Sequence, residues 1–253
     1  IVAAASSGLG RAVAVEFARE GAEVAICARR AGELETAAAE IKKAGGRDAL
    51  WQVCDVTDYP AVQIFVDAAE KQFGRIDICV TNAGGPPSKK FLETSNDEWR
   101  NAVNMNLMSA VFFARETLPR MRKNHWGRFI TITSMSVKQP VEGLILSNSV
   151  RAAVAGLART LANEFGADGI TVNNVCPGYT ATDRLNELAD KRAAGAGLSR
   201  EKIFEQMALQ VPLGRIGQPE EFAAMVTFLA SERASYITGT TVAVDGGWVK
   251  SLL

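Results

Sequence analysis

Ile1-Val2-Ala3-Ala4-Ala5-Ser6-Ser7-Gly8-Leu9-Gly10-Arg11-Ala12-Val13-Ala14 opens the chain and decides its fold. An apolar, strand-like run passes through a Ser/Gly turn into a segment with helical periodicity. Gly8 and Gly10 allow a tight turn and a close approach of backbone to a ligand. The amino end of the helix adds free N–H groups and a partial positive charge. Ser6, Ser7, Gly8, Leu9 and Gly10 therefore read as a seat for a pyrophosphate. The competing reading is a plain strand–helix turn; the position in the first βαβ unit favours the seat.

Outward from this turn, short β-rich runs alternate with long amphipathic helices. Strands are expected near 1–5, 22–28, 48–54, 76–82, 127–133, 170–176 and 240–245. Helices are expected near 9–20, 31–44, 58–73, 96–123, 148–166 and 219–231. Runs such as Ile76-Asp77-Ile78-Cys79-Val80 are mostly apolar, as in a sheet covered on both faces. Ser95 with Glu98 forms a capping box for the fourth helix, and Pro219-Glu220-Glu221 suits a first helical turn. The pattern predicts an α/β, Rossmann-type, doubly wound sheet of seven parallel strands with helices on both faces. No linker or repeat divides the chain, so 1–253 is expected to form a single domain. Residues at about 182–211 break the rhythm and read as a helical lid over one end of the sheet.

The bulk properties narrow the function. The 253 residues carry 28 basic and 28 acidic side chains, 47% hydrophobic and 22% charged residues. Zero formal charge gives no field to attract nucleic acid or a membrane surface. No apolar run approaches a membrane span, and no signal peptide is visible. The chain starts inside an apolar strand, so a few preceding residues are expected. Cys27, Cys54, Cys79 and Cys176 form no C-x-x-C pair and no His cluster accompanies them. They read as buried reduced thiols of a cytoplasmic protein rather than as a metal site. The one histidine, His125, falls in a loop between a helix and a strand.

The end of the second strand bears on cofactor choice. An acidic residue there accepts a hydrogen bond from an adenosine ribose 2′-hydroxyl and selects NAD. This chain has Ala28-Arg29-Arg30. That stretch offers no carboxylate to repel a 2′-phosphate, and Arg29 and Arg30 can pair with one. NADP(H) is therefore favoured over NAD(H). The alternative is that both arginines are simply solvated at a helix start.

Together these motifs resemble the short-chain dehydrogenase/reductase family, and within it the β-ketoacyl-carrier-protein reductase-like branch. The similarity covers essentially the whole chain. The family pattern T-G-x-x-x-G-x-G reads Ala3-Ala4-x-x-x-Gly8-x-Gly10 here, so its Thr and first Gly are replaced. The resemblance implies that Asp55 and Val56 contact adenine and that Asn82-Ala83-Gly84 lines the cofactor cleft. It implies that Asn106 holds a catalytic water through a helix distortion and that Ser134 orients the substrate. Pro177 and Gly178, with Thr180 or Thr182, match the segment that grips the nicotinamide carboxamide. The family's Tyr lies thirteen positions after its Ser, with a Lys four further on. Those positions are Ser147 and Arg151. None of the three tyrosines, Tyr59, Tyr179 and Tyr236, is near enough in sequence to be a shifted copy.

Ser147 and Arg151 are four apart and share a helix face. A Ser hydroxyl is a far weaker acid than a phenol, and Arg stays charged and cannot shuttle a proton. Arg151 can still hold ribose hydroxyls as the Lys would. Three readings stay open. The protein is an oxidoreductase with an altered proton donor (Ser147, a water relay, or Tyr179). Or it binds NADP(H) with little turnover, as a sensor or partner subunit. Or Arg151 and the lid serve non-redox chemistry on an acidic substrate. The apolar lid residues Leu185, Leu188, Leu198, Ile203, Phe204 and Met207 either seat the lid or face a carbonyl or alcohol substrate. Small residues on the helices at 96–123 and 148–166, with the resemblance, imply a homotetramer.

Overall fold

The structure, a computed structural model, describes residues 1–252. Seven parallel strands lie in the order β3-β2-β1-β4-β5-β6-β7. They are β1 (Val2–Ala3), β2 (Ala25–Ala28), β3 (Leu50–Val53), β4 (Ile78–Thr81), β5 (Gly127–Ile132), β6 (Ile170–Pro177) and β7 (Thr241–Val244). Strand order reverses between β1 and β4, which opens a crevice at their carboxyl ends. The Gly8–Gly10 turn and Asn82-Ala83-Gly84 border that crevice.

Side chains alternate between the two faces of the sheet, and each face has its own helices. Ile26, Val80 and Ile130 pack with α1 (Gly8–Arg19), α2 (Ala31–Gly45) and α9 (Pro219–Ala230) through Val13, Phe17, Leu34 and Phe222. Cys27, Cys79 and Phe129 face the other way. They meet α3 (Tyr59–Phe73), α5 (Ser109–Lys123) and α6 (Ile145–Phe165) through Phe65, Phe113 and Ala158. The four cysteines are buried and free. No described helix is long and apolar enough to cross a membrane.

Two local features bear on function. The helix read over 96–123 is distorted at Asn106, as the family resemblance implied. Between α4 (Asn96–Ala102) and α5, residues Val103–Met108 form a π-helical turn. The wider ring rotates Asn106 into the interior, where it is 5% exposed. Ser109 Oγ donates to the Met105 carbonyl at 2.6 Å, which satisfies an acceptor at the end of that turn. The Ser95–Glu98 capping box that opens α4 forms as expected. The second is Ala4, whose φ of 48° lies in the left-handed region. Ala4 stands where the resembling family has Gly, and a Cβ in that conformation costs about 1 kcal/mol. Asn82 Nδ2 donates to the Ala4 carbonyl at 3.3 Å and helps hold the strained turn.

The segment expected as a lid forms α7 (Asp183–Ala196) and α8 (Arg200–Leu209). Leu185, Ala189, Ile203 and Met207 pack against Met135, Val141, Tyr179 and Trp248. Most of its apolar side chains therefore seat these helices, while Leu198 is exposed.

Candidate active site

The Ser/Gly turn is shaped by backbone conformation at Gly8 and by close backbone contacts at Gly10. Gly8 has φ +56°, and Thr182 Cγ2 lies 3.6 Å from where its Cβ would stand. A Cβ on Gly10 would sit 2.6 Å from the Ala4 carbonyl oxygen and 3.1 Å from Asn82 Nδ2. Ser7 is the N-cap of α1, yet its hydroxyl makes no cap bond. Leu9, half-buried, packs on the α1/α2 core. The amino end of α1 thus keeps free backbone N–H groups and an unengaged Ser7 hydroxyl, a donor set that fits a dinucleotide pyrophosphate.

At the outer end of the crevice, Arg29 and Arg30 are both exposed. Asp55 Oδ1 accepts from Thr57 N and Oγ1 at 2.9 and 2.8 Å. Burial pushes the Asp55 carboxyl up, but the Thr57 bonds and the charge of Arg29 outweigh it and hold the group low. Val56 is buried beside it. Ala28-Arg29-Arg30 itself carries no carboxylate, but one from α2 comes close to it. Glu33, from the first turn of α2, reaches back so that Oε2 accepts from Ser6 Oγ at 3.1 Å. The same oxygen pairs with Arg30 Nη2 at 2.7 Å. The Arg-x-x-Glu spacing was the available signal, since residues three apart on a helix are neighbours.

The inner end gathers Asn82, Ala83, Asn106, Thr133 and Arg151 around a small cavity. Asn106 Nδ2 donates to the Gly84 carbonyl at 2.9 Å. Asn106 Oδ1 is buried without a hydrogen-bond partner among the described residues. Ser134, at the end of β5, accepts from Ser136 N at 3.2 Å, so its own hydroxyl proton stays available to an acceptor. Ser147 lies in the first turn of α6, and its Oγ is 3.3 Å from Ser136 Oγ. Sequence reasoning missed Ser136; the Ser-x-Ser spacing after the strand was the only clue. It also missed Asn148, whose amide pairs with both the N–H and the carbonyl of Val141 and fixes the loop before α6.

Ser147 and Arg151 do share one buried face, at 7% and 8% exposure. Arg151 Nη1 donates to the carbonyls of Ile132 and Thr133, at 3.3 and 2.8 Å. Its Nη2 donates to those of Ala83 and Gly84, both at 3.4 Å. The guanidinium therefore clamps the end of β5 to the loop after β4. Burial lowers its pKa to about 10, and the charge of Arg184 acts in the same direction. It remains protonated at neutral pH.

The third wall comes from β6 and the lid. Gly178 N donates to the Val244 carbonyl at 3.0 Å, which ties Pro177-Gly178 to β7. Thr180 Oγ1 bonds the Gly178 carbonyl at 3.3 Å. Thr182 caps α7 and bonds the Thr180 carbonyl. Arg184 Nη2 donates to the Pro86 carbonyl at 2.8 Å, which latches α7 to the loop after β4. Tyr179 faces α8 instead: its hydroxyl bonds Gln210 Oε1 at 3.4 Å and its ring packs edge-on against Trp248. Among the described residues no cluster of His, Cys, Asp or Glu could hold a metal ion.

Residues 3–249 match the family model described as enoyl-(acyl carrier protein) reductase. A 3-oxoacyl-acyl-carrier-protein reductase of Pseudomonas aeruginosa is 37% identical over 251 residues, covering 99% of this chain and 97% of that protein. The chain belongs to the short-chain dehydrogenase/reductase family. Within it, the chain falls in the β-ketoacyl-carrier-protein reductase-like branch. Among solved short-chain reductases, L-sorbose reductase of Gluconobacter frateurii, complexed with NADPH and L-sorbose, superposes with a TM-score of 0.94. The two are 33% identical over 99% of this chain and 96% of that one. An NADPH-bound short-chain oxidoreductase of P. aeruginosa PAO1, described as containing an atypical catalytic centre, gives 0.90 at 30% identity. It matches over 99% of this chain and 96% of that one.

Proposed function

We propose that this short-chain dehydrogenase/reductase moves a hydride between NADP(H) and a carbonyl or secondary alcohol, with an altered proton donor. The observation that carries the reading is Ser134, placed at the crevice with its own proton uncommitted. The bound cofactor supplies or takes the hydride. The turn at Ser6, Ser7, Gly8, Leu9 and Gly10 holds the pyrophosphate. Arg29 and Arg30 pair with a 2′-phosphate, and Asp55 and Val56 border the adenine. Asn82, Ala83 and Gly84 support the inner half, while Pro177, Gly178, Thr180 and Thr182 face the carboxamide. NADPH bound in both solved relatives supports the cofactor choice.

Ser134 donates a hydrogen bond to the carbonyl oxygen. Ser147, coupled to Ser136, relays a proton from a water held by Asn106 Oδ1, which restores the one it passes on. Arg151 orders the strand ends, and its charge favours negative charge developing on the substrate oxygen. Residues 182–211 act as the lid of a single-domain, cytoplasmic enzyme.

A second reading, NADP(H) binding with little turnover, is favoured by Arg151 itself, because both terminal nitrogens are engaged by backbone. Calorimetric titration with NADPH and NADH, followed by a ketone panel, separates the two. We expect NADPH to bind more tightly and some ketone to be reduced; absence of heat with both nucleotides would end both readings. Ala152, Ala153 and Gly156 lie exposed on α6, a surface that admits close packing of a second helix in a homotetramer. Light scattering is expected to give four times the chain mass, and a monomer at micromolar concentration refutes it.

A further inference from the structure

We propose that Glu33 is an internal occupant of the subsite for the adenosine 2′-phosphate, and thereby sets the balance between NADPH and NADH. The proposal rests on the dinucleotide-binding reading above. Ser6 belongs to the phosphate turn and Arg30 is the residue that precedes α2. One offers a hydroxyl, the other a guanidinium, the donor set that a phosphate dianion takes. Both already serve a single carboxylate oxygen, Glu33 Oε2, at 3.1 and 2.7 Å. A Ser hydroxyl has one proton. When that proton is on Glu33, it is not on a phosphate.

Charge acts in the same sense. A 2′-phosphate seated on Ser6 and Arg30 stands beside the Glu33 carboxylate, and like charges so placed repel. An unphosphorylated ribose meets the opposite situation, since its 2′-hydroxyl can donate to a carboxylate. Arg29 works against Glu33. It is exposed, and the nearby carboxyl its charge acts on is Asp55, which is already held by Thr57. Discrimination thus becomes a contest between Arg29 and Arg30, which favour the phosphate, and Glu33, which opposes it. The Arg30–Glu33 pair is exposed, 71% and 38% by side chain, so the contest is decided by modest energies.

Glu33→Gln keeps the size and one acceptor but removes the charge. Titration of the full chain at low salt is expected to show NADPH bound about tenfold more tightly by this variant, with NADH unchanged or slightly weaker. Adenosine 2′,5′-bisphosphate, which lacks the nicotinamide, is expected to show the same gain, and AMP none. Glu33→Asp, too short to span to Ser6, is expected to shift the ratio in the same direction. Thermal melting checks that both variants are folded. An unchanged NADPH:NADH ratio in a wild-type chain that binds NADPH overturns the Glu33 proposal alone. Weaker NADPH binding by Glu33→Gln does so too, because it makes Glu33 a support for Arg30. A wild-type chain that binds neither nucleotide overturns the dinucleotide reading itself.

Discussion

Ser147→Tyr combined with Arg151→Lys is expected to raise kcat for ketone reduction by about 10²–10⁴-fold, the usual worth of a positioned general acid. Ser147 sits four residues before Arg151 on one buried face of α6, at the level of Ser136 and the end of β5. A phenol placed there extends toward the oxygen that Ser134 addresses. Its pKa near 10 puts proton donation within reach of a neutral solution, whereas an aliphatic hydroxyl is far outside it. The second substitution matters because Arg151 is committed to four backbone carbonyls. Lysine is a compact, mobile charge and can turn to a ribose hydroxyl or to the phenol. Tyr alone is therefore expected to gain less than the pair. Ketone reduction by the double variant should fall as pH rises through the phenol pKa, because the acid form is consumed; alcohol oxidation should rise. Steady-state rates at saturating NADPH measure the effect. A double variant that melts normally, binds NADPH and reduces ketones no faster than wild type would refute the assignment of these two positions.

How far the sequence reached can be judged from particular residues. Phe129 and Ile130 are adjacent, apolar, and buried on opposite faces of β5. A run of such pairs between amphipathic helices specifies a two-sided parallel sheet without any long-range information. The tight Ser/Gly turn opening α1 was legible for the same local reason. The rest of the site depends on contacts across the fold. The acceptors of Arg151 lie 18 to 68 residues away. Spacing could place its charge in the crevice but not aim it at the strand ends. Glu33 was hidden differently: its side chain turns back toward a Ser in another βα unit, 27 residues earlier. The π turn around Asn106 was implied by the family resemblance alone, since neither Gly nor Pro marks it within Val103–Met108. Tyr179 went the other way. Its place beside Pro177-Gly178 in sequence suggested the crevice, but Trp248 and Gln210 give it a better-packed site under α8.

Gly10→Val is expected to abolish binding of both dinucleotides, with affinity lost by at least ~100-fold, and to destabilise the fold by about 3 kcal/mol. The reason is which atoms surround the missing side chain. A Cβ would stand 2.6 Å from the Ala4 carbonyl oxygen and 3.0 Å from the Ala5 Cα. These are backbone atoms with no rotamer to change. Ala5 is wholly buried and Ala4 already occupies a left-handed conformation, so the turn has little slack. Relief requires α1 to move off β1, and that disturbs the packing of Val13 and Phe17 on the sheet. It also pushes on Asn82 Nδ2, 3.1 Å from the new atom, and so on the bond that holds the Ala4 carbonyl. In a chain of this length the melting temperature should drop by roughly 6–12 °C. Gly8→Ala provides the contrast. The atom its Cβ would meet is Thr182 Cγ2 at ordinary contact distance, 3.6 Å. Its cost is therefore the conformational one, about 1 kcal/mol for an L residue at that φ. Because the pyrophosphate is common to NADPH and NADH, Gly10→Val should weaken them equally, while charge changes at Glu33 alter their ratio. Calorimetric melting and parallel titrations of the two variants decide the matter. A Gly10→Val protein with wild-type stability and affinity would show that the turn is not where the dinucleotide is held.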